Sequence, residues 1–256
     1  MEAILKVEQL KKYYGKRENV TRALDGVTFQ VMPGEFLGIM GSSGSGKTTL
    51  LNCIATIIKP TDGNIFIGEN NIQSYDAEDL SEYRGKETGY LFQNFELLDN
   101  MTGKENILLP LSLHGVTEEE SGERLDILTG YLDIADVLDK FPSQMSVGQK
   151  QRVAAARAFI LDPKIVFADE PTGALDSKNA RLLMQRLKKM NENIGTTILM
   201  VTHDIASASF CRRILFIQDG KIFHEIRRDY PRETREDFYQ RILKVMVRLG
   251  GEDNVI

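Results

Sequence analysis

The chain has 256 residues, 42% hydrophobic and 27% charged, which excludes a disordered protein and allows one large domain or two small lobes. Its net charge of −5, with both signs mixed along the chain, argues against a general nucleic-acid-binding surface. No apolar run approaches the ~20 residues that span a bilayer, so any membrane role must come through a partner.

Met1-Glu2-Ala3 leads straight into a strand-like segment, and no signal peptide is expected. Cys53 and Cys211 stand far apart in apolar surroundings, as reduced core residues of a cytosolic protein do. Ile4 to Leu10 alternates apolar and polar residues as a half-buried strand, and Lys11 to Gly15 reads as a loop. Val27, Phe29 and Val31 alternate again, Pro33-Gly34 turns the chain, and Phe36 to Met40 forms a strand. Leu50, Leu51, Ile54, Ile57 and Ile58 keep helical spacing up to Pro60-Thr61-Asp62-Gly63. Ile65 to Ile67 and Gly89 to Gln93 read as strands.

Between about 94 and 162 the character becomes helical. Thr102-Gly103-Lys104-Glu105 and Thr117-Glu118-Glu119-Glu120 are capping-box sequences, and Pro110 is expected to kink or divide the first helix. Ser146, with Gln149 three residues on, opens a third helix that runs to Leu161. Strands return at Ile165 to Ala168 and Thr196 to Val201, with a helix capped by Ser177 between them. Asp219-Gly220 marks a hairpin between Arg213–Gln218 and Lys221–Ile226. In Thr234 to Leu249, Phe238, Ile242, Val245, Met246 and Leu249 share a face that suits the domain body, a partner or a membrane surface.

The chemistry concentrates at a few points. Gly41-Ser42-Ser43-Gly44-Ser45-Gly46-Lys47-Thr48 fits the phosphate-loop pattern G-x-x-x-x-G-K-[ST] at every specified position, with Thr49 continuing the helix. Glycines let backbone N–H groups curl around a triphosphate, and the helix N-terminus adds partial positive charge. Lys47 can reach the β- and γ-phosphates, and the Thr48 hydroxyl can ligate Mg²⁺. Asp169-Glu170 ends an apolar strand: the first carboxylate suits Mg²⁺ and the second suits orienting or deprotonating a water. His203 ends another strand, where α/β sheets place ligand groups, and is expected at the γ-phosphate. His114 and His224 lack that context and read as surface residues. Ser146-Val147-Gly148-Gln149 is a second helix N-terminus suited to phosphate. One nucleotide does not need two such ends in one chain, which makes sense if the second serves a neighbouring subunit.

In this order the motifs resemble those of the ATP-binding-cassette (ABC) ATPases over residues 1–226. The resemblance takes in the phosphate loop, Gln93, Ser146 to Gln149, Asp169-Glu170, Ala174-Leu175-Asp176 and His203. It implies an α/β P-loop NTPase fold with an antiparallel β subdomain and a helical subdomain inserted at about 94–162, followed by a C-terminal helical extension, 227–256. It further implies a homodimer with two ATP molecules, each sandwiched between one phosphate loop and the opposing Ser146, Gly148 and Gln149. Glu170 would be the catalytic carboxylate, assisted by Lys47 and His203. Thr48, Asp169 and Gln93 would serve Mg²⁺, Tyr14 rather than Tyr13 would stack on adenine, and Asp176 would cross the dimer interface.

Phe167 to Lys178 is similar to the subgroup of lipoprotein-releasing and macrolide-exporting ATPases. Gly148 to Arg152, Ala158 to Pro163, Glu105 to Leu111 and the Gly250-Gly251 tail resemble the bacitracin-type (BceA-type) resistance ATPases. That resemblance implies a BceB-like integral-membrane permease with a large extracellular domain, sometimes a sensor histidine kinase, and a place at the cytoplasmic face of the membrane. It implies handling of cell-wall-targeting peptide antibiotics. The alternatives are a lipoprotein-release or macrolide-exporter-like complex, or a regulatory cassette with little hydrolysis. Phe95, Glu96, Leu97 and Leu98 are the expected permease contact. The DNA-repair and translation branches carry a long coiled-coil insertion or two cassettes, and this chain shows neither. Val147 departs from the family's usual glycine; hydrolysis is expected to survive, slowed.

Overall fold

The computed structural model describes residues 2–15 and 19–249; the Gly250-Gly251 tail lies outside them. Strands β1 (Leu5–Tyr14) and β2 (Thr21–Val31) precede β3 (Phe36–Met40) and helix α1 (Lys47–Ile54). Strands β4 (Asp62–Ile67) and β5 (Asn70–Asn71), helix α2 (Ala77–Glu82) and β6 (Thr88–Leu91) follow. Helices α3 (Gly103–Leu113), α4 (Glu118–Leu132) and α5 (Val147–Phe159) come next. The chain then alternates through β7 (Ile165–Asp169), α6 (Ser177–Ile194), β8 (Thr197–Val201) and the short α7 (Ile205–Ala208). Strands β9 (Arg213–Gln218) and β10 (Lys221–Arg227) and helix α8 (Arg235–Leu249) complete it.

Two sheets result. The first is antiparallel, in the order β2-β1-β4-β5. The second runs β10-β9-β3-β8-β7-β6, parallel throughout except for the β9–β10 hairpin. Strands buried on both faces read as continuous apolar runs, and here alternate residues feed two separate cores. Phe36, Met40, Val166, Ala168, Ile198, Met200, Ile214 and Phe216 face the helical side. Leu37, Ile39, Ile165, Phe167, Leu199, Val201, Leu215 and Ile217 face α1 and the antiparallel sheet. Ile39 pairs with Val201, and Val201 with Asp169. That rung brings the C-terminal ends of β3, β7 and β8 level, which gathers the site at one edge of the sheet.

Several local expectations are corrected. β1 continues to Tyr14 instead of looping from Lys11, because β2 pairs with it through Tyr14↔Thr21. Lys11 bonds Asp62 at 2.9 Å and Tyr13 bonds Asp25 at 2.7 Å, so polar side chains find partners across the strands. Helix α1 stops at Ile54, short of Ile57 and Ile58; Thr56 takes a left-handed φ of 58°, which ends helical propagation. Pro110 lies inside an undivided α3. Its missing N–H is outweighed by a reciprocal Thr102–Glu105 cap and by burial of Ile107 and Leu111. Thr117 caps α4 in one direction only, and Asp176, not Ser177, caps α6. A carboxylate accepts bonds from both Lys178 and Asn179 N–H, which the Ser177 hydroxyl, already within the helix, does not.

Helix α8 packs on the body: Phe238 and Ile242 are fully buried in the helical-side core, with Val245 beside them. Cys53 and Cys211 are free and buried, which pushes the Cys53 thiol up to about 11. Among the described residues no helix is long and apolar enough to cross a membrane.

Candidate functional site

The phosphate loop joins β3 to α1. Gly46, at φ 102°, caps α1, and no side chain caps that end. The first-turn N–H groups of α1 therefore have no intrahelical acceptor. Ser45 is buried and its Oγ has no hydrogen-bond partner. Lys47 is buried too, and its Nζ donates to the Gly41 and Ser42 carbonyls at 3.0 and 2.8 Å. Burial depresses its proton affinity, while the charges of Glu170 and Asp169 oppose that. Ser42, Ser43 and Gly44 are exposed along the rim and Thr49 is half-buried. A curled loop with free N–H groups, an orphaned hydroxyl and a cation fits a polyphosphate.

The Thr48 hydroxyl donates to Asp169 Oδ1 at 3.2 Å. Burial raises the Asp169 carboxyl, and the neighbouring Glu170 charge adds to the effect. A divalent cation would offset both. Among the described residues no cluster of three His, Cys, Asp or Glu side chains forms a metal cage. Mg²⁺ fits this donor set, since it takes one or two protein oxygens and completes its shell with phosphates and water.

Glu170 follows β7 with φ 47°, and its N–H bonds Val201 O at 2.9 Å. Its Oε1 lies 2.9 Å from His203 Nδ1, which carries the hydrogen because a carboxylate only accepts. The carboxylate is mostly covered, while the imidazole is exposed. A base held this way can take a proton from water while the histidine faces outward.

The remaining expected residues divide. Gln93 is exposed, with its side-chain amide over Gly173, on the same turn as Glu170. Tyr14 presents an open ring with Lys12 Nζ 5.0 Å above it, whereas the Tyr13 hydroxyl is tied to Asp25. Ser146 caps α5 in a reciprocal box with Gln149, whose Nε2 also reaches Asp136. Gly148 is buried against Asn179; a Cβ there would stand 2.8 Å from Asn179 Oδ1. Asp176, the α6 cap, bonds that same Asn179 at 2.6 Å and so fixes the side chain that packs against Gly148. Among the described residues no hydrogen bond joins Gly41–Thr49 to Ser146–Gln149. Val147 occupies the exposed first turn of α5. Val147→Gly is therefore expected to fold normally and to raise phosphate release a few-fold; an unchanged rate would show that the valine does not slow turnover.

Sequence reasoning missed Gln151. It is fully buried, and its Nε2 donates to Pro171 O at 2.7 Å and Phe92 O at 3.3 Å, tying the Gln93 turn to the Glu170 turn. A glutamine on the same stripe as Ala154, Ala155 and Ala158 was the available signal. Arg157 likewise holds the Phe95 and Glu96 carbonyls at 2.8 and 2.6 Å. Phe95 and Leu97 pack on the core, and Leu98 and Glu96 remain exposed.

A strand-end phosphate loop, a paired glutamate and histidine, and a second capped helix start define a nucleotide-hydrolysing cassette. The family model described as "ABC transporter" matches residues 24–173, and the chain belongs to that family as a transporter ATPase. It is 44% identical to "Bacitracin export ATP-binding protein BceA" of Halalkalibacterium halodurans, over 98% of this chain and 99% of that protein. It is 39% identical to "Macrolide export ATP-binding/permease protein MacB" of Syntrophobacter fumaroxidans, over 86% of this chain and 31% of that one. Among solved structures it is similar to the dimeric ATP-binding cassette MJ0796 in a post-hydrolysis state bound to ADP and Pi. That likeness has a TM-score of 0.80 at 39% identity, covering 87% of this chain and 98% of that one.

Proposed function

We propose that this chain hydrolyses ATP to power a membrane permease that handles cell-wall-targeting peptide antibiotics of the bacitracin class. The observation that carries the reading is the end-to-end 44% identity to the bacitracin-export ATP-binding protein. The macrolide-export relative matches less of this chain and at lower identity, which makes that complex the second reading.

In this reading Gly41, Ser42, Ser43, Gly44, Ser45, Gly46 and Thr49 cradle the phosphates, and Lys47 leaves its loop carbonyls for them. Thr48, Asp169 and Gln93 would hold Mg²⁺, which would supply charge neutralisation at the phosphates. Glu170 accepts the proton of the attacking water, His203 orients Glu170 and meets the γ-phosphate, and Tyr14 stacks on adenine. Each pocket is completed by Ser146, Gly148 and Gln149 of a second copy, with Asp176 at the interface. The likeness to the dimeric cassette MJ0796, at a TM-score of 0.80, supports that composite pocket.

Residues 1–226 form the cassette, with the helical subdomain at about 94–162 and 227–256 as an extension. Glu96, whose carbonyl Arg157 holds, and Leu98, whose backbone Asn106 holds, are exposed and are the first candidates for the permease contact. The complex sits at the cytoplasmic face of the membrane, with a BceB-like permease and a sensor histidine kinase as partners and no nucleic acid. Affinity purification of the tagged chain from membranes in mild detergent tests this. A co-purifying permease with a large extracellular domain, and phosphate release stimulated by peptide antibiotic, are expected. A macrolide-type or lipoprotein-type partner would overturn the substrate assignment.

A further inference from the structure

The two turns that carry Glu170 and His203 are joined a second time, deeper in the protein. Thr172 and Ser207 are buried, at 6% and 2% exposure, and their hydroxyl oxygens lie 3.0 Å apart. Ser207 Oγ is also 2.6 Å from Asp204 Oδ2, which accepts the Ser207 N–H as well, at 2.8 Å. An ionised carboxylate only accepts, so the Ser207 hydroxyl donates to Asp204. Thr172 must then donate to Ser207. The result is a directed chain, Thr172 to Ser207 to Asp204, running from two residues after Glu170 to the residue next to His203.

Its setting makes it consequential. Glu170 holds a φ of 47°, a conformation that surrounding structure must enforce in a non-glycine residue. Backbone bonds fix its N–H, to Val201 O, and its carbonyl, to Gly173 N–H, both at 2.9 Å. Among the described residues the β7–β8 ladder ends at Asp169↔Val201, and α7, at four residues, is too short to be stable on its own. The buried hydroxyl chain ties α7 to the Pro171-Thr172 segment and closes a ring through the Glu170–His203 contact. It lies in the wall of a cleft of about 450 Å³ that Glu170, His203 and Asp204 also line.

We propose that Thr172 and Ser207 are positioning residues for hydrolysis: they hold the turns so that the Glu170 carboxylate and His203 stay in register, without touching nucleotide. This rests on the reading of Glu170 as the proton acceptor. The test uses the full chain, with steady-state phosphate release, equilibrium ATP binding and thermal melts for Thr172→Val, Thr172→Ser, Ser207→Ala and Glu170→Gln. Thr172→Val keeps the shape and loses the donor; kcat is expected to fall about tenfold, as for lost outer-shell support elsewhere. KM for ATP should stay within about twofold of the parent. Thr172→Ser restores the rate, and the Thr172→Val/Ser207→Ala pair is no slower than either single variant, because both break one chain. Ser207→Ala removes one oxygen and adds nothing, so the result does not depend on the valine variant folding. An unchanged kcat in Thr172→Val, or a serine variant no faster than the valine one, overturns the proposal. If Glu170→Gln is inactive while Thr172→Val is fully active, only the positioning role fails. If Glu170→Gln still turns over, the Glu170 reading fails with it.

Discussion

Glu170→Gln is expected to stop phosphate release while leaving ATP bound. The substitution keeps size and removes the carboxylate that pairs with His203 at 2.9 Å. Loss of a general base costs ~10²–10⁴-fold in rate. The amide can still bond the imidazole, and the phosphate loop is untouched, so ATP affinity should stay within about threefold of the parent. Blocked hydrolysis should also let two ATP-loaded copies accumulate as a stable dimer, visible by size-exclusion chromatography with light scattering. A variant that hydrolyses ATP near the parent rate would remove Glu170 from the mechanism. The outcome also bears on Asp169. Burial and the Glu170 charge raise its carboxyl together, so neutralising residue 170 should shift it back toward the ordinary carboxylate range.

Gly46→Ala is expected to damage the site from the backbone side. Gly46 has φ 102°, and a Cβ there would lie 2.2 Å from the Ala23 carbonyl oxygen on β2. That neighbour is backbone held in a sheet, so the loop must move instead. Strain and clash together should cost about 2–4 kcal/mol of stability. Because Gly46 sets the start of α1, the displaced groups are the first-turn N–H donors and the Lys47 stem, which the proposed function assigns to the phosphates. ATP affinity should fall more than about tenfold, through donors shifted off their ideal geometry. Titration with a fluorescent ATP analogue and a thermal melt check both parts. Affinity within about twofold of the parent would mean the loop tolerates the methyl by another route.

How much was legible follows from how far apart the cooperating residues lie. The phosphate loop spans Gly41 to Thr48 without interruption, so its spacing carried its chemistry. The Ser146–Gln149 cap was equally local and formed as expected. Glu170 and His203 were legible as strand ends, but their contact spans 33 residues and exists because Asp169 pairs with Val201 in the sheet. Where local reasoning failed, a distant partner had won. Lys11 to Tyr14 looks like a polar loop until β2 and Asp62 are placed beside it. Pro110 looks like a helix breaker until the burial of Ile107 and Leu111 is counted. Gln151, Thr172, Asn179 and Ser207 carry no motif of their own; each matters only through what it touches.

The sequence by itself determined the chemistry present: a loop for phosphate, a hydroxyl and carboxylate for a hard cation, a strand-end glutamate and histidine, and a second anion-suited helix start. It also determined the apolar strands of a doubly covered sheet, since residue type and spacing are local properties. Only the tertiary structure decided which of these groups meet. Sheet register brought β3, β7 and β8 level and set Glu170 against His203. The buried polar links of Gln151 to Pro171 and of Thr172 to Ser207 were decided there too. Hydrogen bonds over such separations form only once packing has brought their ends together and excluded water, and no spacing rule along one chain encodes that.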